Sequence, residues 1–203
     1  MTRFLALLKL KQLTPPTPSS DRVGFLFMEN RVFIIIDGSN FYHRLKELEL
    51  KNLLTFDYEK LTQFLVGKRN LVLRKYYIGA IREEFNNSKS KELMRNQRKL
   101  LGKLQKQGWQ IGLGQMLKAD GYHEKGVDVL MAVDLLVGAY EDKYDIVILV
   151  SSDTDLLPAI EKIRLMGGKI EYIGFSHKPS YAMIANSDVR RLLIKEELEK
   201  YFE

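Results

Sequence analysis

The residues whose types and spacing could do chemistry are four acids and an amide. Asp37 stands where the apolar run Val32, Phe33, Ile34, Ile35 and Ile36 stops, and Asn40 follows it in DGSN. Asp153 stands after DIVILV in SSDTDLLPAI, Asp155 comes two residues later, and Asp128 opens the segment DVLMAVDLL. An Asp directly after an apolar strand either starts a turn or is held at the mouth of a sheet. In open parallel α/β sheets ligands bind outside the carboxyl ends of the strands, so neighbouring strands would bring Asp37 and Asp153 to one crevice. Asp128 would join them if its helix, with Val127, Leu130, Met131 and Leu135 as core positions, starts at the same rim.

Carboxylates gathered in this way repel. Two charges 5 Å apart cost roughly 3 kcal/mol at an effective dielectric of 20. Either one carboxyl takes up a proton or a divalent cation sits between them, and an all-oxygen site with an amide suits Mg²⁺ or Mn²⁺. The chain has no cysteine, which excludes thiolate zinc, disulfides and a Cys nucleophile. His43, His123 and His177 show no ligand spacing and are assigned surface or packing roles. The GLGQ segment lacks the third glycine of a dinucleotide loop, because Leu117 stands at that position. Each candidate also has a purely structural reading. Asn40 could cap a helix, Asp155 could cap the helix holding Pro158, and Asp128 could serve a helix dipole. Asp134 is assigned to the surface.

The chain has 203 residues, 45% hydrophobic and 29% charged, with a net charge of +6. That suits one globular domain and permits a polyanionic partner. The excess charge is concentrated in SKSKELMRNQRKLLGKLQKQ (88 to 107), where Arg95, Lys99, Lys103 and Lys106 recur at helical spacing. These side chains form a solvated face, or hold phosphates if the helix borders the acids. No apolar window is long enough for a membrane span, and a cytoplasmic, membrane-free protein is expected.

The elements that must position these groups alternate. Strands are expected at 32–36, 71–78, 109–113, 145–150 and 169–173, and helices at 40–50, 57–66, 88–107, 125–139, 156–166 and 189–202. Near-continuous apolar strands such as IVILV belong to a mainly parallel sheet covered on both faces, a three-layer α/β/α domain. Residues 1–30, with TPPTPSSDR (14 to 22), are expected as a disordered extension or linker, and 31–203 as one domain. Met28 precedes the first strand, so residues 1–27 could also derive from upstream initiation. The Tyr76–Tyr77 pair is placed in the core.

IIIDGSNFY (34–42), KGVDVLMAVDLL (125–136) and VILVSSDTDLLPAI (147–160), followed by Gly167-Gly168-Lys169, resemble the NYN domain family, a branch of the PIN-like nucleases. The resemblance covers about residues 31–192. It implies a Rossmann-like α/β/α sheet and a metal-dependent ribonuclease site built from acids at strand ends. By position, Asp37, Asp128 and Asp153 would bind metal and activate water, and Asp155 would be a direct or water-mediated ligand. Asn40 would orient water or a phosphate, and Lys125 would neutralise the leaving side. Two positions depart from the family pattern: Ser152 replaces a Gly and could crowd the backbone, and Leu156 replaces an aromatic.

The leading expectation is a ribonuclease acting on single-stranded or structured RNA. The alternative is a non-catalytic RNA-binding or regulatory module, and a homo-oligomer or a regulatory protein partner is compatible with either. A phosphatase using Asp37 as nucleophile wants a second Asp at the position of Ser39 and is disfavoured.

Overall fold

Val32 to Ile36 are all 0–1% exposed, and such a strand can exist only with a layer on each face. The computed structural model describes residues 30–50, 52–81, 87–118 and 122–202, and the expectations for residues 1–29 lie outside them. Strand β1 (Arg31–Asp37) sits at the centre of a seven-stranded sheet. The others are β2 (Asn70–Gly79), β3 (Gln110–Lys118), β4 (Tyr122–Lys125), β5 (Ile146–Val150), β6 (Lys169–Phe175) and β7 (Val189–Leu193). The order is β4-β3-β2-β1-β5-β6-β7, parallel throughout except for β3 with β4.

The helices are α1 (Gly38–Glu47), α2 (Tyr58–Val66), α3 (Ser88–Lys106), α4 (Val127–Tyr140), α5 (Leu157–Leu165), α6 (Tyr181–Ala185) and α7 (Lys195–Leu198). Strand alternation assigns them to layers. Val32, Ile34 and Ile36 pack with Phe41 and Leu45 of α1, Leu61 and Leu65 of α2, and Leu100 and Leu104 of α3. Phe33 and Ile35 pack with Met131 and Leu135 of α4, Ile160 and Ile163 of α5, and Met183 of α6. The expected three-layer α/β/α domain with a mainly parallel sheet is therefore the observed one. Tyr76 and Tyr77 are fully buried, as expected. Among the described residues no helix is long and apolar enough to cross a membrane.

The sheet continues from β1 to β2 on one side and to β5 on the other, which makes the β1/β5 boundary its switch point. Ile36 lies opposite Val150 in this parallel pair, so Asp37 and Ser151 leave the sheet side by side. At the other end of β1, Arg31 holds the β5 approach through three hydrogen bonds to the Asp145 carboxylate, one from its backbone amide at 2.9 Å and two from its guanidinium at 3.1 and 2.8 Å.

Three elements differ from expectation. Residues 189–202 are a strand, a short helix and a 3-10 turn rather than one helix. Asp188 fixes that change by accepting from the Ile170 amide at 2.9 Å, which starts β7 along β6. Four residues of β4 and five of α6 are too short to leave a readable period in the sequence.

Gly38, the first residue of α1, lies under the Tyr76 ring, where a Cβ would come within 2.4 Å of the ring carbon Cε1. Tyr76 is itself fully buried and has no room to retreat. Gly38→Ala is therefore expected to lower stability by about 1–3 kcal/mol through overpacking. Gly102→Ala, in open space within α3, should be neutral or stabilising by up to about 1 kcal/mol. Urea denaturation of the two variants checks the contrast.

Candidate metal centre

Asp37 ends β1 and caps α1, its Oδ1 accepting from the Asn40 amide at 3.0 Å. Its Oδ2 accepts from the Ser151 hydroxyl at 2.9 Å, and the side chain is almost wholly buried. Ser151 Oγ accepts in turn from the Asp153 amide at 3.1 Å, so one hydroxyl ties the ends of β1 and β5 together. Asp153 then caps the following turn by accepting from the Asp155 amide at 2.9 Å. Asp128 arrives from the opposite layer, in the first turn of α4, after Gly126 has turned the chain with φ +79°.

Carboxylate oxygens of Asp37, Asp128 and Asp153 all lie within 4.8 Å of one another. They line a cavity of about 290 Å³ together with Ser39, Asn40, His43, Gly126 and Val127. Desolvation, opposed by the Asn40 amide and the Ser151 hydroxyl and reinforced by the charges of Asp128 and Asp153, pushes the Asp37 carboxyl up to about 6. At this spacing each ionised pair costs about 3 kcal/mol at an effective dielectric of 20. Asp37 and Asp153 form no ion pair with a basic side chain among the described residues. Three carboxylates around one buried oxygen pair fit a hard divalent cation, which would hold them together and supply the missing positive charge.

The other expected residues divide. Asn40 borders the cavity, but Asp37 is the helix cap; the Asn40 side-chain oxygen instead accepts from the Ser152 amide at 3.3 Å, across the β1/β5 boundary. Asp155 is exposed and stands outside the three-acid group, because its backbone, not its carboxylate, is held by Asp153. Asp134 is no free surface acid, since it accepts from the Tyr77 hydroxyl at 2.6 Å and pairs with Lys75. Lys125 ends β4 one residue before Gly126, and its side chain lies outside the described residues.

The basic helix does not run along the acids. Because β2 and β3 are parallel, α3 must travel back from the carboxyl rim, and its 19 residues span about 28 Å. Arg95 is exposed in its first half, and Lys99 is exposed further along. Lys103 donates to the Leu54 and Phe56 carbonyls at 3.1 and 3.3 Å, and Lys106 ends the helix at the far side.

Ser151, not singled out in the sequence, holds Asp37, and His43, given a surface or packing role there, borders the acid cavity. His43 follows Asn40 by three positions on α1 and so shares its face, a signal that was available. Ser152 does not crowd the centre: its hydroxyl lies 3.1 Å from the Tyr172 hydroxyl, and its φ is not in the left-handed region that would require glycine. Leu156 is fully buried in the core, filling the place where an aromatic is common.

The NYN domain family model matches residues 31–192. A solved structure of a protein of unknown function from Vibrio parahaemolyticus is similar with a TM-score of 0.65 and 25% identity, covering 83% of this chain and 95% of that one. Among curated proteins none matches this chain at a significant level.

The Asp37 carboxyl, raised from an ordinary 3.8 to about 6, fixes the sign of one pH effect. Well below pH 3.8 folded and unfolded chains are both protonated there; as pH rises through 3.8 toward 6 the unfolded chain ionises first and stability is lost. The loss is complete above pH 6 and amounts to about 3 kcal/mol. In chelator, Asp37→Asn is therefore expected to be more stable than the wild type by about 2–3 kcal/mol at pH 7.5 and by little at pH 4. Mn²⁺ should narrow the gap by stabilising only the wild type. Thermal denaturation at the two pH values, with and without Mn²⁺, measures this.

Proposed function

The chain belongs to the NYN domain family, and on that premise we propose that it is a Mg²⁺- or Mn²⁺-dependent ribonuclease hydrolysing RNA phosphodiester bonds. NYN domains are PIN-like nucleases that generally act on RNA and use divalent metals. The observation that carries the proposal is the convergence of Asp37, Asp128 and Asp153, from three separate segments, within 4.8 Å.

In this reading the three carboxylates hold the cation. A divalent ion bound there offsets their repulsion, lowers the pKa of water and stabilises charge building on the phosphate. Asp37 is aligned by the Asn40 amide and the Ser151 hydroxyl, so little ordering remains to be done when the site fills. The more exposed Asp153 accepts the proton of the attacking water. Asn40 spends its side-chain oxygen on the Ser152 amide, which leaves its NH₂ group to donate to a non-bridging phosphate oxygen. Lys125, next to Gly126 at the same rim, supplies positive charge on the leaving side. Arg95 and Lys99 on the exposed face of α3 hold more distant phosphates, and Lys103 and Lys106 do not take part.

Denaturing-gel cleavage of a mixed set of labelled RNAs is the test. Cleavage should require Mg²⁺ or Mn²⁺, stop in EDTA, and fall by about a hundredfold or more in Asp153→Asn. Asp155→Asn should stay within about threefold of the wild type, since its carboxylate stands outside the group. RNA binding with no cleavage in any lane would favour a non-catalytic module of the same fold.

A further inference from the structure

A second cavity adjoins the acid centre and shares two of its walls. It measures about 540 Å³ and lies between α1, the segment after it, the end of β2 and the first half of α3. Ser39 and His43 line both spaces, so the two form one cleft along the carboxyl rim. Leu53, Leu54, Ile78 and Leu93 give it apolar sides, and Leu93 is 45% exposed although it is a large aliphatic residue. Tyr42, 40% exposed, stands edge-on to His43 with ring centroids 5.5 Å apart.

The polar groups in this cavity differ in availability. Gln97 is spent, since its amide donates to the Gly79 carbonyl at 2.7 Å and its oxygen accepts from the Ile81 amide at 2.9 Å. Those bonds fix the cavity wall where β2 ends. The Asn96 and Asn52 side chains make no hydrogen bond among the described residues. An apolar slot with exposed aromatic faces and a few free amides suits a flat heteroaromatic ring carrying donors and acceptors on its edge. Its volume lies within the range of small-molecule sites.

We propose that this cavity receives an unpaired nucleobase of the RNA strand whose phosphate lies at the acid centre, stacked on Tyr42 with the His43 ring beside it and read by Asn52 and Asn96. The inference rests on the ribonuclease reading for the identity of the strand. It makes the substrate single-stranded at the nucleotide beside the scissile bond, because a base inside a duplex cannot enter the slot.

The test uses the full chain in EDTA at low salt and reads fluorescence anisotropy of a labelled single-stranded oligoribonucleotide, alone and annealed to its complement. Tyr42→Ala removes a stacking face and Leu93→Trp fills the slot; both positions are exposed, and circular dichroism checks that both variants fold. The wild type should prefer the single strand, and each variant should weaken single-strand binding by about five- to a hundredfold, with little change for duplex. Equal single-strand binding by the wild type and both folded variants overturns the subsite, and so does a lack of binding by the wild type. Cleavage assays on the same preparations separate the two readings. Metal-dependent cleavage with variant-insensitive binding sinks the subsite alone, whereas variant-sensitive binding without cleavage sinks the ribonuclease and leaves the subsite standing.

Discussion

Burial of the Asp37 carboxylate is the interaction on which the rest of this protein turns. A central strand that is apolar on both faces delivers this group to the sheet edge almost without solvent. Two hydrogen bonds, from the Asn40 amide and the Ser151 hydroxyl, only partly offset the lost hydration, and the carboxyl is left near 6. Two further acids are then packed against it. In folding terms this is a cost with no return, since a neutral amide of the same shape would accept from the Asn40 amide and donate to the Ser151 hydroxyl oxygen. Such an arrangement is what a cation site requires, because the cation converts the repulsion into binding.

The scaffold serves this one placement. Parallel pairing of β1 with β5, in a register that sets Ile36 against Val150, brings Asp37 beside Ser151 and hence beside Asp153. The layer on the opposite face contributes Asp128 through the start of α4. Gly38 allows the buried Tyr76 ring to press directly against the first turn of α1, which holds Asn40 and His43 at the rim. The same helix face forms the wall between the acid cavity and its apolar neighbour.

Much of this was legible in the sequence, for reasons that differ by residue. Asp37 and Asp153 follow long apolar strands, and strand-end position in a parallel sheet is a rule of topology rather than of local detail, whereas Asp128 opens an apolar helical stretch. Asp155 could not be separated from Asp153 in the sequence, because two acids at i and i+2 look alike until one of them caps the backbone of the other. The basic run was readable as a helix, but its direction relative to the rim depends on the parallel β2–β3 crossover, which a charge pattern does not contain. Ser151 was invisible for another reason: a hydroxyl between an apolar strand and an acidic motif acquires meaning only when the neighbouring strand supplies Asp37. The end of the chain failed on length, since VRRLL is too short to distinguish a strand from the first turn of a helix.

The most direct measurement is calorimetric titration of the protein with Mn²⁺ in buffers of different ionisation enthalpy, at pH 6 and pH 8, on the wild type and Asp128→Asn. If the three acids form a cation site around a half-protonated Asp37, binding at pH 6 should release about half a proton, and at pH 8 almost none. The variant should bind at least about tenfold more weakly. Mn²⁺ binding that is independent of Asp128, or that releases no proton at pH 6, would contradict the account.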